Sequence, residues 1–102
     1  MKIAKINEKE YCLRFNIGSL RRTAKRLGLT TPQIFEKLTE NDMDVVVELL
    51  YQCIINTHKD FDIEILDELS ISEFNEVVVI LAEVISEGMP EADKKTMKKK
   101  KK

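Results

Sequence analysis

Strict two-residue alternation in one short stretch constrains this chain most. Tyr11, Leu13 and Phe15 alternate with Cys12 and Arg14, and in an extended backbone that period places the three apolar side chains on one face. Upstream, Lys2 to Ile6 sets Ile3 and Ile6 about Ala4 among two lysines. The polar run Asn7-Glu8-Lys9-Glu10 separates the two stretches, and Asn7 tolerates a left-handed backbone, so the economical reading is an antiparallel hairpin that buries Tyr11, Leu13 and Phe15. Two strands are marginal in water. A helix must therefore cover them.

The covering helices are written downstream. Asn16 can cap a helix over Ile17 to Leu27, and Gly28 suits the left-handed position just past its end. Ile17, Leu20, Ala24 and Leu27 fall at helical spacing as an apolar stripe, leaving Arg21, Arg22, Lys25 and Arg26 on a cationic face. Thr30-Thr31-Pro32 opens a second, short helix ending near Thr39, with Ile34, Phe35 and Leu38 inward. Asn41 or Asp42 caps a third helix reaching about His58, whose first turn holds Asp42 and Asp44 beside the positive end of the dipole. It carries two stripes: Met43, Val46, Val47, Leu50, Tyr51 and Ile54 on one side, Val45, Leu49 and Cys53 with Ile55 nearby on the other. Such a helix is either central to a core or has one face in an interface. Asp60 to Leu69 gives another short helix, with Ile63, Leu66 and Leu69 inward. Ser70-Ile71-Ser72-Glu73 is a capping box for a last helix to about Glu87, stopped by Gly88 and Pro90. Its centre, Val77 to Ala82, is apolar without a break, and Glu73, Glu76, Glu83 and Glu87 decide for helix over strand by their spacing.

The pattern predicts one α+β domain, mainly α, over residues 1–88: an N-terminal β-hairpin packed on a bundle of about four to five helices. A disordered Lys-rich tail over 89–102 follows, ending in five lysines that repel one another. A chain of 102 residues is long enough for one core, and too short for two domains. No stretch approaches a membrane span and the amino terminus has no signal-peptide core, so the expected location is the cytoplasm. Cys12 and Cys53 match no zinc or redox spacing and read as reduced, packed side chains.

The net charge of −1 hides a segregation along the chain. Residues 1–27 hold eight basic and two acidic groups, residues 28–88 two basic and fourteen acidic, and the tail seven lysines against Glu91 and Asp93. Chains polarised in this way can dock basic end to acidic end, because complementary potentials steer association. The bland alternative is that these are solvated faces of a monomer.

No catalytic constellation stands out. His58 is the single histidine and sits at a helix end, where a cation interacts well with the dipole. The carboxylate pairs Asp60 with Asp62 and Asp67 with Glu68 lack partners that would select a metal, and three glycines form no phosphate loop. No cofactor or metal is expected. The sharpest local motif runs from Leu20 to Leu38, where Ala24, Gly28 and Ile34 can serve as small residue, turn glycine and packing residue of a helix-turn-helix, with Arg21, Arg22, Lys25 and Arg26 seeking phosphate. A small DNA-binding regulator is therefore the alternative function. Against it, the second helix would offer a major groove Gln33, Glu36 and Lys37 with no arginine, and the acidic segment that follows would be repelled.

The order KINEKEYCLRFNIGSLRRTAKRLGL, followed by acidic helices containing VVVELLYQCI, resembles the tail assembly chaperones of siphophages and their prophages over about Ile3 to Ile85. The resemblance implies a non-enzymatic, self-associating, mainly helical protein. It further implies that the protein coats the tape measure protein in the host bacterial cytoplasm until tail tube protein replaces it, and is absent from the mature virion. Tape measure protein, tail tube protein and further copies of the chain are the implied partners. A longer form made by programmed ribosomal frameshifting is implied too: Lys98 to Lys102 require an adenine-rich codon run, a natural slippery tract, the alternative being an ordinary basic, solvated tail. A client of long helices would be held by spare apolar stripes. Val45, Leu49, Ile80 and Val84 are the candidate partner contacts, with Arg21, Arg22 and Arg26 as the cationic side of a subunit contact.

Overall fold

Asn7 and Glu8 both adopt left-handed backbone, with φ of 52° and 67°, the geometry of a two-residue turn whose twist matches the strands it joins. The computed structural model, which describes residues 2–87, accordingly pairs β1 (Lys2–Ile6) with β2 (Lys9–Leu13) antiparallel, Ile6 opposite Lys9 and Lys2 opposite Leu13. The second strand thus begins two residues earlier than the alternation of Tyr11 to Phe15 suggests, because Glu8 shares the turn with Asn7. Ala4, Ile6 and Leu13 lie fully buried on one face, while Tyr11 and Phe15 are half-buried. Ile3, on the opposite face, is 61% exposed.

Among the described residues five helices follow: α1 (Ile17–Leu27), α2 (Thr31–Thr39), α3 (Met43–Ile55), α4 (Glu64–Asp67) and α5 (Ile71–Glu87). Apart from α4, which has no side-chain cap, they start where the capping residues demand. Asn16 Oδ1 accepts from Ser19 N at 2.9 Å, and Gly28 closes α1 with φ 66°. Thr30 and Gln33 cap α2 reciprocally, as do Ser70 and Glu73 at α5, and Asp42 caps α3. The chain is α+β and mainly α, a hairpin packed on helices. The Lys-rich tail expected over 89–102 lies outside the described residues.

α3 is the axle. It buries Val45, Val46, Leu49, Leu50, Cys53 and Ile54, so both of its stripes face protein. One side of α3 joins Ala4, Ile6 and Leu13 of the hairpin, Phe61, Leu66 and the inner row of α5 (Val77, Leu81, Val84 and Ile85) in the main core. A smaller cluster joins Leu20 of α1, Ile34 of α2 and Val45. Packing of α1 and α2 through their glycine turn onto α3 is therefore what Leu20, Gly28 and Ile34 accomplish. Ile17 does not join the stripe expected for α1: it is 71% exposed, and the buried face is Ser19, Leu20 and Thr23.

Candidate functional site

Two surfaces merit description. The first is a polar seam between α1 and α3, produced because α1 lays hydroxyls and guanidinium groups, alongside the Leu20 contact, against its neighbour. Arg26 Nε meets Glu48 Oε2 at 2.9 Å, Gln52 Nε2 donates to the same oxygen at 2.8 Å, and Arg22 Nε donates to Gln52 Oε1 at 2.7 Å. Arg22 Nη2 continues the line, donating to Asn56 Oδ1 at 2.6 Å. Asn56 Nδ2 then donates to the Arg14 carbonyl at 2.7 Å and to Ser19 Oγ. A Cβ at Gly18 would come within 2.9 Å of Arg22 Nη1, so glycine leaves the guanidinium its seat. Inside the seam no buried side-chain polar atom among the described residues lacks a partner, which is the condition under which such a network adds rigidity rather than cost.

The seam gives two of the arginines assigned to a subunit contact partners within their own chain. Arg22 and Arg26 are bonded to α3 of their own chain, Arg22 through neutral amides and Arg26 through an ion pair, so they clamp the fold; of the three, Arg21 is the one for which no bond to α3 is seen among the described residues. Charge segregation is partly consumed in the same way elsewhere, since Lys2 of β1 lies 3.6 Å from Glu83 and 3.4 Å from Glu87 of α5. Both of those pairs are well exposed and contribute little to stability.

His58 and Cys53 belong to the same scaffold. Cys12 N donates to His58 Nε2 at 3.1 Å, and the imidazole stands edge-on to Tyr11 at 5.1 Å. The histidine thus acts as an acceptor that ties β2 to the end of α3, where the sequence suggests a cation set against a helix dipole. Burial pushes the Cys53 thiol up from 9.0 to about 12, against smaller lowering effects of a Ser19 hydrogen bond and the Arg22 charge. A thiol so placed is inert.

The second surface is an apolar groove of about 310 Å³ where the start of α3 meets the first half of α5, lined by Asn41, Met43, Val46, Phe74, Asn75 and Val78. Met43 is 57% exposed beside it, and along α5 Ile71 and Val79 are 77% and 59% exposed. Apolar surface of this kind, rimmed by polar groups, marks contact sites. Here the rim is acidic in sequence: Asp44 follows Met43, and Glu73 and Glu76 flank Phe74 and Asn75.

Most of the sequence-predicted partner residues lie elsewhere. Val45, Leu49 and Val84 are 2%, 0% and 3% exposed. They fill the interior and cannot meet a partner without unfolding; Ile80 is half-buried at the edge of the core. The reason is rotational. On α5 the row Val77, Leu81, Val84 and Ile85 faces inward, which turns Val79 away from the core, and the unbroken run Val77 to Ala82 conceals which row wins. For α3, Met43 escapes burial because it occupies the first helical position. Among the described residues no group of three or more His, Cys, Asp or Glu side chains could hold a metal ion, and no helix is long and apolar enough to cross a membrane. No family model, curated protein or solved structure matches the chain.

Proposed function

We propose that this protein is a non-enzymatic tail assembly chaperone of a siphophage or prophage. In this reading it self-associates in the host bacterial cytoplasm and is absent from the mature virion. It grips a helical segment of the tape measure protein in the groove between α3 and α5 until tail tube protein displaces it. The groove carries the reading. It is half-open and mainly apolar, lined by a flexible methionine, an aromatic ring and two valines between two asparagines, and so suits the spaced side chains of an amphipathic helix held weakly enough for release. The sequence resemblance adds support, as does the order of elements, a hairpin running into a basic helix, then a central helix and an acidic terminal one. Lys98 to Lys102 fit a frameshift at an adenine-rich run that yields a longer form.

Co-expression of the full chain with the tape measure protein of the same phage tests the proposal. The two should co-purify, and Val78→Lys should abolish co-purification while leaving the far-UV circular dichroism unchanged. Failure of the unmodified chain to capture the tape measure protein overturns the proposal. So does a shift of duplex DNA with steep salt dependence by a chain ending at Gly88, which removes the lysines that bind any polyanion.

A further inference from the structure

The two edges of the hairpin are treated differently. Along β2 the edge is sealed from Cys12 onward, leaving only the outward groups of Glu10 beside the turn: Cys12 N donates to His58 Nε2, Thr57 Oγ1 donates to the Cys12 carbonyl at 2.6 Å, and Arg14 N donates to the Cys53 carbonyl at 3.1 Å. Both main-chain groups of Cys12 thus point out of the hairpin, which makes Ile3↔Cys12 a non-hydrogen-bonded pair. By alternation Lys5↔Glu10 is another. The amides and carbonyls of Ile3 and Lys5 must then point outward from β1, and no described residue bonds to them. An open edge of this kind is a template for another strand.

We infer that β1 pairs antiparallel with β1 of a second copy about a two-fold axis at Ala4, joining two hairpins into one four-stranded sheet. The sequence of the strand selects both occupant and register. With Ala4 opposite Ala4 of the second copy, Ile3 lies opposite Lys5 of that copy, and these residues exchange the outward main-chain bonds of both strands. The register keeps the two Lys5 side chains from facing each other, a like-charge pairing that would be unfavourable. It also lays the Lys5 stem over exposed Ile3. Lys5 keeps Glu10 as its neighbour across β2. The contact is isologous and closes at a dimer. It rests on the self-association in the proposed function and gives it a surface, but uses none of the groove residues, so failure of the pairing leaves the grip on a client helix standing, and loss of that grip leaves the pairing standing.

Sedimentation velocity of the full chain, from micromolar to hundreds of micromolar, tests the pairing. The chain should pass from monomer to dimer. Lys5→Pro removes only an outward N–H and leaves the β1–β2 ladder intact, so it should stay monomeric throughout, whereas Lys5→Gln, which keeps the N–H, should dimerise as the parent does. Independently of any variant's folding, amide exchange at Ile3 and Lys5 of the unmodified chain should slow severalfold as concentration rises. A monomer at every concentration, a Lys5→Pro chain that dimerises like the parent, or concentration-independent exchange at both amides overturns the inference.

Discussion

Replacing Arg26 by alanine tests whether the cations of α1 hold the fold together. Glu48 is 7% exposed and its Oε2 is held by Arg26 Nε at 2.9 Å and Gln52 Nε2 at 2.8 Å. Arg26→Ala leaves that carboxylate with one neutral donor. Removing one partner of a fully buried ion pair costs about 3–5 kcal/mol, and a hydrogen bond to a charged group contributes about 1.5–3 kcal/mol. The Arg26 side chain is 61% exposed, so water can replace part of what is lost, and the lower figure applies: about 1.5–2 kcal/mol. For a domain of this size that lowers Tm by about 6–16 °C, measurable by thermal circular dichroism, with urea titration giving the free energy. Glu48→Gln removes the stranded charge, so the double variant Arg26→Ala/Glu48→Gln should cost less than the sum of the singles by at least about 1 kcal/mol. The sedimentation behaviour of Arg26→Ala below its melting range should match that of the parent. A cost under about 0.5 kcal/mol, or a change of oligomeric state at undiminished stability, refutes the reasoning and returns Arg26 to a subunit contact.

Glu8 occupies a left-handed position that favours glycine, so Glu8→Gly should stabilise the domain by about 0.5–1 kcal/mol in urea unfolding; destabilisation would contradict the two-residue turn. In a Cys12→Ser background, Cys53 should be silent to a thiol reagent at neutral pH until denaturant is added, and rapid labelling of the native protein would show that it is not buried. Because folding raises the Cys53 thiol from 9.0 to about 12, the unfolded chain releases that proton first, and stability present below pH 9 should fall as pH rises from about 9 towards about 12. Cys53→Val should flatten that part of the alkaline slope, and an unchanged slope would assign it to other groups.

The parts of the fold that local chemistry decides could be read from the chain. Asn16 and Gly28 bound α1, Thr30 and Pro32 start α2, Asp42 starts α3, and Ser70 with Glu73 starts α5, because a cap needs only neighbours within one turn. What sequence could not decide was rotation. Val45 and Leu49 read equally well as core or interface while α3 is considered alone; the choice falls to α1 and α2, which cover Val45. Similarly, Arg22 and Arg26 resemble solvated cations until Gln52, Asn56 and Glu48, thirty-odd and some twenty residues away, come into reach. Glu48 and Gln52, four residues apart on α3, offered the one available hint of a buried polar row. Ile17 satisfies helical spacing and still faces solvent, because Ser19 and Thr23 find partners that make their burial affordable.

Hydrogen–deuterium exchange of the full chain, with and without the tape measure protein of the same phage, tests the central claim most directly. New protection should concentrate on the backbone around Met43 to Val46 and Phe74 to Val78, with α1 unaffected. Protection confined to α1, or none anywhere at saturating tape measure protein, would contradict the assignment of the groove between α3 and α5 as the surface that grips a client helix.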